Sequence, residues 1–302
     1  MGLVRAMLSL KKTLPTCNKW PTIKKTIQDI LKEKRTDHRR DYVKPLLQQG
    51  RMLEFISAEN SDLTWRSIIY DLPRGVLSFA VRSAIDFLPT LSNLSRWGKR
   101  TNTRCPLCKN RESLLHVLNN CSVALTQGRY TWRHDSILRH IVHLLQDSSK
   151  YPDVKIYADI KDMTTSGGTI PPNILPTSQR PDIFLYNASA KTAMIAELTV
   201  PFEQNTDKAH SRKQNKYASL MLDLNRADLK TSLVCFEVGS RGVITKDNIS
   251  RLKSMFKFTK ATFNKKAIRD ISKLALLGSY GIWNSRQDPN WDNIDHMNIA
   301  HS

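Results

Sequence analysis

Asp182 lies fifteen residues before Glu197, and Lys213 and Lys216 follow three apart in the next segment. Paired Asp and Glu carboxylates are oxygen donors suited to a hard divalent cation. A lysine beside them can orient or deprotonate a water and balance the charge that develops as a phosphodiester is hydrolysed. Those residue types are the inventory of a metal-dependent nuclease. A second group has softer chemistry: Cys105 and Cys108 two apart, His116 after seven intervening residues, and Cys121 after four more. A thiolate pair on a tight turn grips one ion, and His116 with Cys121 closes a tetrahedron, which predicts zinc. With four protein ligands that site is closed and therefore structural. Lys99, Arg100, Arg104, Lys109 and Arg111 surround it, which suits a knuckle touching nucleic acid. Closed zinc units also act simply as staples, and the ligands alone do not separate the two.

The whole chain has 302 residues and a formal charge of +20. Such an excess favours a polyanionic partner. Nucleic acid is preferred to a membrane surface, because no strongly amphipathic, Trp-anchored helix stands out and no apolar run approaches the roughly 20 residues of a membrane span. The alternative is a basic but inert surface. Met1–Leu14 is apolar and basic but lacks the pattern of a signal peptide. Of the five cysteines, Cys17 and Cys235 are isolated and the other three cluster with His116. That is a reducing-compartment pattern with one metal site, not a disulfide framework.

The elements that must position these groups follow from periodicity. Residues 1–51 carry thirteen Lys/Arg against four acids. Ile23, Ile27, Ile30 and Leu31 predict an amphipathic helix over 22–35, and Val43, Leu46 and Leu47 a second helical pattern. Its basic face suits nucleic-acid backbone or plain solvent equally. A helix start at Ser61–Trp65 and a dense apolar run from Val76 to Phe87 predict a small helical core in which Trp65 and Phe79 pack. Ile137, Leu138, Ile141, Leu144 and Leu145 form one face of a helix opened near Tyr130, with His134 at its start. Residues 153–160 alternate as a strand. Tyr157-Ala158-Asp159 there invites comparison with a polymerase box, but Ile160 breaks the pattern and a polymerase reading is rejected. Residues 164–178 read as a loop. Asp182–Tyr186 and Lys191–Val200 read as a hairpin with Asp182 opposite the Glu197 end. A helix over Asp207–Leu224 puts Lys213 and Lys216 on one face, with Tyr217 beside it. A buried strand over Ser232–Val238, a helix near Lys246–Phe256 and a last helix marked by Ile268, Ile271, Leu274 and Leu277 complete an α/β unit around a mixed sheet. Seven basic residues and one acid between 251 and 270 add a further basic surface. Trp283–Ser302 reads as a polar, loose end.

Taken in order, the cysteine–histidine spacing, Arg133-His134-Asp135, Arg180-Pro181-Asp182, Glu197-Leu198-Thr199 and Lys213-x-x-Lys216-Tyr217 closely resemble one assembly. It is the C-terminal region of site-specific non-LTR retrotransposon proteins, the class carrying a restriction-like endonuclease, and the resemblance spans roughly residues 60–225. It implies a basic helical region over 1–100, a CCHC zinc knuckle over 101–125, a PD-(D/E)XK-like restriction-like endonuclease core with a mixed sheet over 126–260, and a C-terminal helix and tail over 261–302. Asp182 and Glu197 match the magnesium-binding carboxylates, Lys213 and Lys216 the displaced lysines, and His134 the histidine of an upstream Arg-His motif. Thr199 stands where ordinary PD-(D/E)XK enzymes have lysine; a lysine from the following helix is this family's solution. The implied activity is Mg-dependent nicking of a DNA target in the nucleus, with the element's RNA as a second partner and no membrane. The family's reverse transcriptase lies upstream of these motifs, which implies a truncated element, a fragment of a longer reading frame or a domesticated nuclease. The alternatives are an inactive nucleic-acid-binding remnant and, more remotely, an RNA-binding zinc-knuckle protein with an incidental α/β domain.

Overall fold

Alternation along the segment from Asp182 to Thr199 decides the architecture. In the computed structural model, which describes residues 20–43, 45–46, 50, 52, 64–148, 153–160 and 168–291, β2 (Ile183–Asn187) and β3 (Thr192–Thr199) form the antiparallel hairpin, with Ile183 facing Ala196. β1 (Val154–Ala158) pairs antiparallel on the outer side of β2, and β4 (Lys230–Glu237) lies parallel to β3. The result is a four-stranded mixed sheet in the order β1-β2-β3-β4. A parallel neighbour needs a crossover, and the helix between β3 and β4 supplies it. Successive strand side chains point to opposite faces. Ile183, Leu185, Met194, Ala196, Leu198, Val234 and Phe236 therefore share one buried layer, while Phe184, Ala193 and Ile195 share the other. The odd-numbered set on β3 continues to Glu197, which fixes the face on which that carboxylate emerges.

The chain divides into two units, Met1–Glu54 and Phe55–Ser302. In the first, α1 covers Trp20–Val43, longer than the expected 22–35. No Pro or Gly interrupts it after Pro21, and its described residues end at Val43, two before Pro45. Of the second pattern expected through Val43, Leu46 and Leu47, Val43 closes α1, the Leu46 carbonyl accepts a helical bond from Gly50 N–H at 2.8 Å, and Leu47 lies outside the described residues.

In the second unit a 3-10 turn (Thr64–Asp71) leads into α2 (Arg74–Ala84) and α3 (Leu91–Arg96). Phe79 is buried as expected; the side chain of Trp65 lies outside the described residues. α4 (Ser122–Thr126) and α5 (Arg129–Ser148) follow the zinc motif. α6 (Thr206–Arg226) is the crossover, and α7 (Lys246–Phe258) and α8 (Lys265–Asn284) close the chain. α5, α7 and α8 cover one sheet face through Ile137, Leu252 and Ile271, and α6 covers the other through Tyr217, Leu220 and Leu224. α8 also enters a second core with Phe79, Leu114, Val117 and Leu118, to which it gives Leu276, Ile282 and Trp283. It is the shared wall between the zinc side and the sheet. Gly278 makes this passage feasible, since a Cβ there would stand 2.6 Å from Arg133 Cγ.

The loose end expected from Trp283 onward does not begin there. Trp283 is buried against Phe79, with the Arg286 guanidinium 3.8 Å from its ring centroid, and Trp291 meets Trp132 edge-on at 5.4 Å. Two large aromatics separated by polar residues give no period to read, yet each buries enough area to fix the backbone between them.

One ion pair joins the sheet end to α2. Arg241 Nε and its backbone N–H each donate to Glu203 at 2.7 Å, Nη1 donates to the Ser83 carbonyl, and both side chains are almost fully buried. Gly239 clears room for it, a Cβ there falling 2.6 Å from Glu203 Oε1. Breaking a buried pair strands a charge, at about 3–5 kcal/mol, whereas replacing both partners by apolar groups is often neutral. Arg241→Ala is therefore expected to lower the thermal midpoint by roughly 10 °C, at about 2–4 °C per kcal/mol for a domain of this size. Glu203→Leu combined with Arg241→Met should recover most of it. A midpoint unchanged in Arg241→Ala would rule out this pair as a stabilising link.

Candidate active site and zinc site

The zinc ligands come from a short hairpin and the turn after it. Arg104 and Arg111 form a single antiparallel bridge, Cys105 N–H donates to the Asn110 carbonyl, and Lys109 takes a left-handed φ of 65° to close the turn. His116 opens a π turn (His116–Asn120) that swings the next residues so that Cys121 comes back to the pair. The ligand atoms of Cys105, Cys108, His116 and Cys121 all lie within 4.8 Å of one another, with Cys105 Sγ to Cys121 Sγ at 4.0 Å and Cys108 Sγ to His116 Nε2 at 3.2 Å. Edges of that length match a tetrahedron built on Zn–S of about 2.3 Å and Zn–N of about 2.0 Å. Burial lowers the His116 pKa, keeping the imidazole neutral as a ligand must be, and raises the Cys105 thiol to about 11. A thiol so placed carries its proton until a cation displaces it. Tyr130 braces the turn, accepting from Cys121 N–H at 2.9 Å and donating to the Val117 carbonyl at 3.0 Å.

The carboxylate pair forms at the other end of the hairpin strands. The β2–β3 register sets Asp182 opposite Glu197, and Asp182 N–H donates to Glu197 Oε2 at 3.0 Å. Asp182 Oδ2 accepts from Leu198 N–H at 2.7 Å and lies 3.2 Å from His134 Nε2. His134 Nδ1 in turn lies 2.9 Å from Asp135 Oδ1. Burial alone would pull the His134 pKa down, but the Asp182 and Asp135 carboxylates outweigh it and raise the pKa to about 10, so the ring is an imidazolium at neutral pH. Arg133, fully buried, fixes the start of α5 by donating to the Ser279 hydroxyl at 2.8 Å and the Val200 carbonyl at 3.2 Å. Glu197 is 1 % exposed. Burial first, and then the neighbouring Asp182 charge, raise its pKa.

The structure separates the two lysines. Thr206, Ala209, Tyr217, Leu220 and Leu224 make the buried stripe of α6. Lys213 falls in line with that stripe and its ammonium donates to Glu197 Oε1. Lys216 lies to the side, exposed, with Nζ donating to Tyr217 Oη at 2.8 Å. Tyr217 Oη donates to the Arg180 carbonyl, tying α6 to the chain just before Asp182. Asp182, Glu197, His134 and Lys213 thus converge, and Lys216 stands one residue removed.

Residues that spacing did not single out surround this group. Arg180 pairs with Asp159 at 2.5 Å. One turn before Lys213, His210 Nδ1 lies 3.0 Å from Glu237 Oε1 at the end of β4, whose other oxygen accepts from Arg251. Lys213 and His210 are three apart on the face turned to the sheet, a signal visible in the sequence once the stripe is known.

Residues 50–127 match the family described as zinc-binding in reverse transcriptase, a span that contains all four zinc ligands. This part of the chain is similar to a reverse-transcriptase-associated zinc-binding domain, which supports a protein related to the retroelements. No curated protein matches the chain. Among the described residues no helix is long and apolar enough to cross a membrane.

Proposed function

We propose that the protein is a metal-dependent DNA endonuclease of a site-specific non-LTR retrotransposon, nicking target DNA on a PD-(D/E)XK-like core. The observation that carries this is the meeting of Asp182 with Glu197 beneath Lys213 and His134. Two adjacent carboxylates, one of them fully buried, repel each other, and a hard cation such as magnesium relieves that repulsion through oxygen donors of this kind. Asp182 and Glu197 would hold such a cation, which when bound would supply Lewis-acid polarisation of the scissile phosphate and an acidified water. Lys213, already on Glu197, is placed to orient the water and to balance charge building on the phosphate oxygens. The His134 imidazolium holds Asp182 in position and adds positive charge beside the phosphate. The net charge of +20 attracts the DNA backbone without regard to sequence. This reading makes the element's RNA a second partner and puts the protein in the nucleus.

Nicking of supercoiled plasmid at low salt, with Mg²⁺ and with the cation withheld, tests it. Lys213→Ala is expected to slow nicking by about 10²–10³-fold, the usual cost of removing one charge-stabilising donor. Lys216→Ala should stay within a few-fold of the parent. Failure of a folded, DNA-binding parent to nick with Mg²⁺ would instead make the chain a binding module. Equal losses in the two lysine variants would contradict the division of labour between them.

A further inference from the structure

A cavity of about 760 Å³ opens between the zinc turn and the carboxylate end of β3, with His134 and Lys213 in its wall. It therefore adjoins the proposed catalytic group through those two side chains, while Asp182 and Glu197 themselves stand outside its lining. Three features of the lining bear on what it takes. Lys208 and Arg212, four apart on exposed turns of α6, continue the positive edge that Lys213 begins. Leu125, Leu198 and Phe202 give it an apolar part, Phe202 being braced by the Arg241 guanidinium 4.2 Å from its ring centroid. Two lining residues, Asn119 and Thr199, carry buried side-chain oxygens, Oδ1 and Oγ1, with no hydrogen-bond partner. Asn119 is held in place meanwhile, its Nδ2 donating to the Val200 carbonyl at 2.8 Å.

Buried polar atoms are nearly always paired, so orphaned oxygens on two residues that line one cavity mark side chains whose hydrogen bonds an occupant completes once they turn toward it. A cationic edge, an apolar part and hydrogen-bonding side chains together match a nucleotide: phosphate, base face and base edge. The volume falls within the 300–1,000 Å³ of ordinary ligand sites, which admits a nucleotide or two and not a duplex. A base inside a duplex offers neither a free face nor its pairing edge, so the occupant has to be unpaired. We propose that this cavity takes an unpaired nucleotide next to the scissile phosphate, so that the substrate is DNA locally opened or mismatched at the cleavage position. As a statement about cleavage it rests on the endonuclease reading; as a statement about binding it stands on the cavity alone.

The test is an anisotropy titration with Asp182→Asn protein in Ca²⁺, so that no cleavage intervenes. The probes are one duplex carrying a central two-nucleotide mismatch bubble with 2-aminopurine in it, and the same duplex fully paired. Unpaired bases escape the unstacking penalty, so the bubble is expected to bind about tenfold tighter at equal salt. The 2-aminopurine emission should change on binding. Thr199→Val, which keeps the side chain's shape, and Leu125→Ser, at a position 63 % exposed, should remove most of that preference and leave paired-duplex affinity unchanged. Lys208→Ala should weaken both probes alike. Equal affinity for bubble and duplex, or a preference untouched in Thr199→Val and Leu125→Ser, overturns the proposal even if the parent protein nicks plasmid with Mg²⁺. A cavity-dependent bubble preference in a protein that never nicks upholds the binding site and removes the endonuclease reading instead.

Discussion

Asp182→Asn is expected to lower Mg²⁺-dependent nicking by about 10³-fold or more while moving the thermal midpoint by only a few degrees. Three decades of rate correspond to about 4 kcal/mol of transition-state stabilisation, within the several kcal/mol that a correctly held cation supplies. The substitution keeps an oxygen that accepts the Leu198 N–H, so the hairpin end stays closed. What it removes is the negative charge beside Glu197, and with it one of the two carboxylates that hold His134 protonated, Asp135 being the other. Cation binding is lost and the imidazolium is weakened, whereas backbone geometry is kept. Glu197→Gln is a poorer probe, because it also strands the Lys213 ammonium, whose side chain is only 18 % exposed. Plasmid nicking rates measured beside a melting curve separate the two effects. Nicking that persists at the parent rate in Asp182→Asn would mean that the chemistry happens elsewhere.

Loss of zinc is expected to have the larger effect on folding. Structural zinc contributes an apparent 10–16 kcal/mol in isolated finger peptides at neutral pH. Only part of that appears as a loss here, since Leu114, Val117 and Leu118 also pack against α8. Even about 4 kcal/mol corresponds to a midpoint about 8–16 °C lower, at roughly 2–4 °C per kcal/mol. Cys105→Ser, or treatment with a zinc chelator, should produce a shift of that size and a zinc content near zero. Cys235→Ala, at a buried cysteine outside the cluster, should keep one zinc per chain. Because α8 walls both cores, the damage should spread: slowed protease resistance of the zinc side would be accompanied by faster hydrogen exchange in α8. Purified parent protein without stoichiometric zinc, or an unchanged midpoint after chelation, would refute the structural role.

The zinc motif was legible because its geometry is local. Four ligands within seventeen residues can meet through one hairpin and one turn, so spacing alone determines the set. The hairpin was legible for a similar reason. Two alternating runs joined by Asn187–Ala190 admit one register that buries both apolar sets, and that register brings Asp182 opposite Glu197. The parity of β3 even determines the face on which Glu197 emerges.

Other features were decided only by tertiary packing. Lys213 and Lys216 both lie within one helical turn of the α6 stripe, and only the docking of α6 on the sheet shows that Lys213 is in line with it. His134 reaches Asp182 across 48 residues because α5 packs against the hairpin, a contact no local period encodes. The Glu203–Arg241 pair, the burial of Trp283 and the cavity between the zinc turn and β3 likewise join segments far apart in sequence. Periodicity determines what each segment does with its own hydrogen bonds and apolar face, over a few residues at a time. Which charged or aromatic side chain then meets which depends on how whole elements fit together, and that information is spread over the entire core.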